Sequence, residues 1–244
     1  MKIAAAQLNS ILGNIQTNLN THYKLIEQAI KNNVQLITFP EMSLTGYCRK
    51  DAHLYSFKPA DTRLNKLQNL SNSGNIILIV GAPILIESRL HIGSFIIKPN
   101  EPIQIYTKQF LHGDEALFFS PSSLYNPTIT LENELIHLAI CADIANSPHP
   151  KQASEQGCTL YLPSIFYSVN GIKSGHEQLQ HYAKKYDFSV LMSNYTGQQW
   201  NIESGGASAF WNSDGKRIGQ LKTDESGILC IEKIDLAWHL QIID

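Results

Sequence analysis

Three side chains that can make and break bonds stand at the ends of apolar runs. Glu41 follows Leu-Ile-Thr-Phe-Pro, Lys108 closes Ile-Gln-Ile-Tyr-Thr, and Cys141 closes Ile-His-Leu-Ala-Ile. Together they supply a carboxylate, an ammonium and a thiol, which suffices for acyl transfer at an amide. A free thiol has a pKa of about 8.5, lowered by positive charge nearby, so a Lys108 ammonium close to Cys141 would favour the thiolate. Glu41, shielded from water, could take the thiol proton and return it to the departing amine. The oxyanion would be met by the Lys108 ammonium and the backbone N–H of Ala142. Taken singly, each residue has an ordinary reading: Cys141 as buried packing, Glu41 as the start of a loop, and Lys108 as a solvated strand end.

The elements that would position these groups can be read from periodicity. Lys2–Gln7 reads as an opening strand. Asn18–Asn32 reads as a helix, with Leu19, Tyr23, Ile26 and Ile30 on one face and Asn18 as N-cap. Val34–Phe39 is a buried strand stopped by Pro40-Glu41, Arg63–Leu70 a helix, and Asn75–Val80 a third strand. Strands follow at about Leu90–Lys98, Ile103–Lys108, Ser123–Leu131 and Leu135–Cys141. A short helix Gln152–Gln156, a strand Thr159–Leu162, a helix His176–Tyr186 and a strand Ser189–Asn194 come next. Ser208–Trp211 and Arg217–Lys222 flank the turn Asn212-Ser213-Asp214-Gly215, a hairpin signal, and Ile228–Ile234 closes the pattern. Sheet ends are where a rigid scaffold presents groups to a ligand. Helix-separated strands with hairpins between them indicate a mixed α/β chain. Residues 1–244 show no linker, so one domain is expected, with 235–244 as a possible C-terminal tail.

The 244 residues are 43% apolar and 16% charged, as in a globular chain with a sizeable core. A formal net charge of -2 with scattered Lys and Arg leaves no footprint for nucleic acid or an anionic membrane surface. No run approaches the roughly 20 apolar residues of a membrane span. The opening MKIAAAQLNS turns polar too soon for a signal-peptide core, so a cytoplasmic location is expected. Cys48, Cys141, Cys158 and Cys230 are dispersed, with no C-x-x-C and no zinc-ligand spacing. His176 and His181 come nearest to a metal pair and are expected at the surface. Neither metal nor cofactor is expected.

Several ordered segments resemble the nitrilase superfamily, the carbon–nitrogen hydrolases, from about residue 1 to 234. They are FPEMSLTGY (39–47), YTKQFLHGDEALFFSP (106–121), AICADI (139–144), YLPS (161–164), Asn194 and GGASAFWNSDG (205–215). The resemblance implies a four-layer α-β-β-α sandwich. It also implies Glu41 as base, Lys108 as oxyanion stabiliser, Cys141 as nucleophile, and Glu115 as a second glutamate that positions the lysine and substrate. An ordinary solvated acid beside Asp114 is the other reading of Glu115. Ser164 and Phe166 follow a strand that borders the pocket in relatives, with core packing as their alternative. Three features depart from the family pattern: Ala142 where relatives often carry tyrosine, the helix 176–187, and the short segment Gln109–Asp114.

The reading that results is a cofactor-free hydrolase of a small linear amide or carbamoyl compound, working through a Cys141 thioester. A nitrile hydrolase is the alternative within the same chemistry, and a catalytically idle family member acting in binding or assembly is the alternative outside it. A serine hydrolase is disfavoured, because Gly206-Ala207-Ser208-Ala209 lacks the second glycine of a nucleophile elbow. The expected partners are a small-molecule amide and a second copy of the chain in a homodimer, with the apolar tail as one possible contact.

Overall fold

Strands whose alternate residues are apolar on both faces build two central sheets. In the first strand, Ile3 and Ala5 face one layer while Ala4 and Ala6 face another, the two-residue period of a doubly covered strand. The computed structural model describes residues 1–235 and 237–243. In chain order the elements begin with β1 (Lys2–Gln7), α1 (Ile15–Lys31), β2 (Leu36–Thr38), α2 (Ala52–Tyr55), α3 (Asn65–Gly74), β3 (Ile77–Ile86), β4 (Arg89–Ile97) and β5 (Gln104–Thr107). They continue with β6 (Ile129–Leu131), β7 (Glu134–Ile140), α4 (Ala142–Ala145), α5 (Pro148–Glu155), β8 (Leu160–Ser164), α6 (Ile172–Tyr186) and β9 (Ser189–Met192). The last are β10 (Gln198–Gln199), β11 (Ile202–Glu203), β12 (Ala209–Trp211), β13 (Arg217–Gln220), β14 (Gly227–Ile234) and β15 (Ala237–Ile243).

One sheet runs β15-β14-β1-β2-β3-β4-β5 and the other β13-β12-β9-β8-β7-β6. Ile3, Ala5, Ile77 and Ile79 of the first pack against Ile136, Leu138, Ile140 and Leu162 of the second. On the outer faces, Leu19, Ile26 and Leu67 of α1 and α3 cover Ala4, Ile37 and Leu78, while Leu179 and Ala183 of α6 cover Tyr161 and Val190. The layers are therefore helix, sheet, sheet, helix, the α-β-β-α sandwich expected. Within each sheet the central strands are parallel, β1-β2-β3 and β7-β8-β9, and such strand ends form ligand crevices.

Several boundaries differ from the sequence reading. Helix α1 begins at Ile15, capped by Asn14 accepting from the Thr17 N–H. Asn18, expected as the cap, is instead buried and bonds both backbone groups of Ile11 and the Leu44 carbonyl. Only Ile129–Leu131 of the expected strand Ser123–Leu131 forms a strand, and Pro127 just before it lacks a ladder donor. Strand β3 runs on through Gly81-Ala82-Pro83 to Ile86. Of the tail, Ala237–Ile243 folds back as an edge strand on β14, while Leu236 and Asp244 lie outside the described residues. His181 is exposed as expected, but His176 is half-buried and bonds the Ala207 carbonyl.

Candidate active site

Glu41 sits on a tight turn at the end of β2, in a loop wedged against β3. Gly81 makes that approach possible: a Cβ there would lie 2.5 Å from the Met42 nitrogen and 2.7 Å from the Pro40 oxygen. The Leu44 N–H donates to the Gly81 carbonyl at 2.9 Å, and Tyr195 Oη donates to the Glu41 carbonyl at 2.5 Å. Met42 takes a φ of 53°, a left-handed conformation that only a packed loop sustains in a non-glycine residue. The carboxyl is 1% exposed.

Lys108, just past β5, is fully buried and bridges two carboxylates. Its Nζ lies 2.7 Å from Glu41 Oε1, and 3.0 and 2.9 Å from Glu115 Oε1 and Oε2. One cation between two buried acids cannot neutralise both, so their environments decide which holds a proton. Glu115 also accepts from Tyr47 Oη at 2.6 Å and from the His112 N–H at 2.7 Å. Burial opposes its ionisation, but Lys108 and these donors outweigh burial and hold the carboxyl below its ordinary value. Glu41 has Lys108 alone, and its Oε2 has no partner. Burial pushes its carboxyl up to about 7, Lys108 resisting and the Glu115 charge adding. Burial would deprotonate Lys108, but the negative charges around it prevail and keep it an ammonium.

Cys141 follows β7 directly and caps the short helix α4 with φ 40° and ψ -94°. Left-handed backbone in a non-glycine residue is costly and persists where surrounding structure fixes it. Here the Cys141 N–H donates to the Ser164 carbonyl at 3.1 Å, and the Ile144 N–H donates to the Cys141 carbonyl at 3.0 Å. Burial and the Glu41 charge push the thiol up to about 12 against the pull of Lys108. Lys108 acts on the thiol in the expected direction, but desolvation by burial outweighs it.

Glu41, Glu115 and Cys141 open onto one cavity of about 430 Å³, whose walls include Ala142, Phe166 and Tyr167. The carbon-nitrogen hydrolase family profile matches residues 2–238. The chain belongs to that family. It is 27% identical over 224 residues to a glutamine-dependent NAD(+) synthetase of Acinetobacter baylyi, covering 88% of this chain and 41% of that protein. A protein of the same name from Thermotoga maritima is 25% identical, with 99% of this chain and 43% of that protein covered. The chain thus spans about two fifths of the length of these relatives. Among solved structures, an amidase from Nesterenkonia sp. AN1 superposes with a TM-score of 0.86 at 19% identity, over 96% of this chain and 93% of that one. A mutant of that amidase in complex with butyramide superposes with a TM-score of 0.85, at 19% identity over 94% and 89% of the two chains.

Within this carbon–nitrogen hydrolase fold the expected site residues do not all meet the cavity. Phe166 lines it, its ring tilted against that of Tyr47 with centroids 5.0 Å apart. Ser164 does not: its side chain points between the sheets toward Thr38 Oγ1 at 3.4 Å, and its contribution is the carbonyl that holds Cys141. Sequence reasoning missed Asp143, which is fully buried. Its Oδ1 accepts from the N–H groups of Gln109 and Phe110, and its Oδ2 from the Ile140 N–H and Tyr106 Oη. One carboxylate thereby ties the segment after Lys108 to the residue before Cys141. An acid two places beyond a core strand was the available signal, since such a charge must find donors. Tyr47 closes the segment FPEMSLTGY, whereas Arg49 and Trp200 on the cavity wall gave no comparable sign.

Proposed function

We propose that the chain hydrolyses the C–N bond of a small linear amide or carbamoyl compound through a thioester on Cys141. The observation that carries this reading is the unequal pair of carboxylates around Lys108: Glu115 fully engaged, Glu41 with a free oxygen and a carboxyl near 7. Environments that separate two acids in this way assign one to fixed charge and the other to proton transfer. Glu41 takes the proton of the Cys141 thiol as sulfur attacks the carbonyl carbon. Negative charge on the carbonyl oxygen is met by the Lys108 ammonium and the N–H of Ala142, which opens α4 and so has no intrahelical acceptor. The tetrahedral intermediate collapses, the C–N bond breaks, and Glu41 delivers its proton to the nitrogen, releasing ammonia or an amine. Water then attacks the thioester, Glu41 takes its proton and passes it to sulfur, and the carboxylic acid leaves. Glu115 holds Lys108 in place throughout.

The roles of these residues, the single domain and the homodimer belong to this proposal. Glu41 serves an amide at both stages, taking the thiol proton and returning it to the departing nitrogen. Ammonia release from matched pairs of aliphatic amide and nitrile tests it. The amide should be consumed and its nitrile left intact; faster turnover of the nitrile would replace this reading with nitrile hydrolysis.

A further inference from the structure

The hairpin β10–β11 places a tryptophan where turn geometry asks for something smaller. Gln199 pairs with Ile202 across the two loop residues Trp200 and Asn201, whose φ angles are 48° and 59°. Loops with both φ positive favour Asn and Gly, and a bulky residue there is an outlier that invites a functional reading. The ring is held from both directions. The Arg49 guanidinium lies 4.0 Å from its centroid, and the Tyr47 ring meets it at 6.1 Å. Below it, the buried Gln199 side chain accepts from the Tyr47 N–H at 3.1 Å and donates to Asn9 Oδ1 and the Ser10 carbonyl at 2.9 and 2.8 Å. Trp200 and Ile202 thus complete an apolar wall, with Phe166 and Ala145, on the cavity that holds Cys141.

The cations in and beside this cavity already have carboxylate partners. Lys108 is paired with Glu41 and Glu115, and Arg49 with Asp114. With Glu41 ionised, the three carboxylates outnumber the two cations of these pairs by one. An anionic substrate group would meet repulsion and no unpaired cation, whereas an apolar one would meet aromatic surface. We propose that Trp200 is a specificity-determining residue, and that the amide it selects is uncharged with an apolar body of several carbons rather than an amino acid that bears a free carboxylate beside its side-chain amide. The inference rests on the amide-hydrolase reading above and names its substrate class.

Steady-state kinetics on acetamide, hexanamide and L-glutamine, with the wild type, Trp200→Asn and Trp200→Phe, test it. In the wild type, kcat/KM should be at least tenfold higher for hexanamide than for either other amide. Trp200→Asn suits the turn, so its Tm should not fall, yet the hexanamide-to-acetamide ratio should drop at least tenfold through a raised KM. Trp200→Phe should retain most of that ratio. A wild type that prefers L-glutamine to hexanamide overturns the inference alone, as does a Trp200→Asn variant that keeps the ratio. Ammonia from none of the three amides overturns the hydrolase reading and this inference with it.

Discussion

Two glutamates on one lysine behave in opposite ways, and the difference comes from donors rather than distance. Tyr47 Oη and the His112 N–H fix Glu115 as an anion, while nothing meets Glu41 Oε2. Glu41 can accept the thiol proton only when ionised, so kcat/KM should rise with pH through an apparent pKa near 7, the value to which burial lifts it. A pH–rate profile checks this, and a limb near the ordinary carboxylate value would contradict it. Glu41→Gln should lower kcat by roughly 10²–10⁴-fold, the usual worth of a general base. Glu41, Lys108 and Cys141 were legible in the sequence because each ends an apolar run and carries a reactive group. Glu115 was legible through resemblance alone, since next to Asp114 it looks like a surface acid. Asp143 and Trp200 meet Gln109 and Tyr47, partners 34 and 153 residues away, which spacing along the chain cannot reveal.

At the scale of elements, the site depends on how closely β2, β3, β5 and β7 bring their ends together. Gly81 lets the Glu41 loop lie on β3, and backbone atoms at 2.5 and 2.7 Å cannot yield to a methyl group without moving. Gly81→Ala should therefore cost about 1–3 kcal/mol of stability, as overpacking does. It should lower kcat/KM by about 10²-fold, the effect of a shift near 1 Å at a reacting group. Calorimetry and steady-state rates on the same preparation check both, and unchanged rates would remove the loop from the account. Strand and helix identities in the core followed from periodicity. Boundaries failed where polar side chains replaced backbone partners, as at Asn14 and Asn18, or where a strand borrowed its end from a neighbour, as β3 does through Pro83.

At the scale of the whole molecule, two sheets pressed face to face leave their last strands at one edge. There Ile234, Leu240 and Ile242 are 47%, 42% and 47% exposed, an apolar strip of the kind that marks an interface. The proposed homodimer should give twice the 27.3 kDa chain mass in light scattering at micromolar concentration, and Leu240→Lys should shift it toward monomer; a monomeric wild type would refute it. The sandwich itself was legible only through resemblance, because which face of each strand meets the other sheet is settled by pairing between distant segments. The proposed chemistry depends on one transient bond between Cys141 and the acyl group. Intact mass spectrometry of protein quenched in acid during amide turnover should show an adduct with the mass of that acyl group on Cys141. The adduct should be absent from Cys141→Ala, which should also release no ammonia. Ammonia release by Cys141→Ala at the wild-type rate would contradict the account.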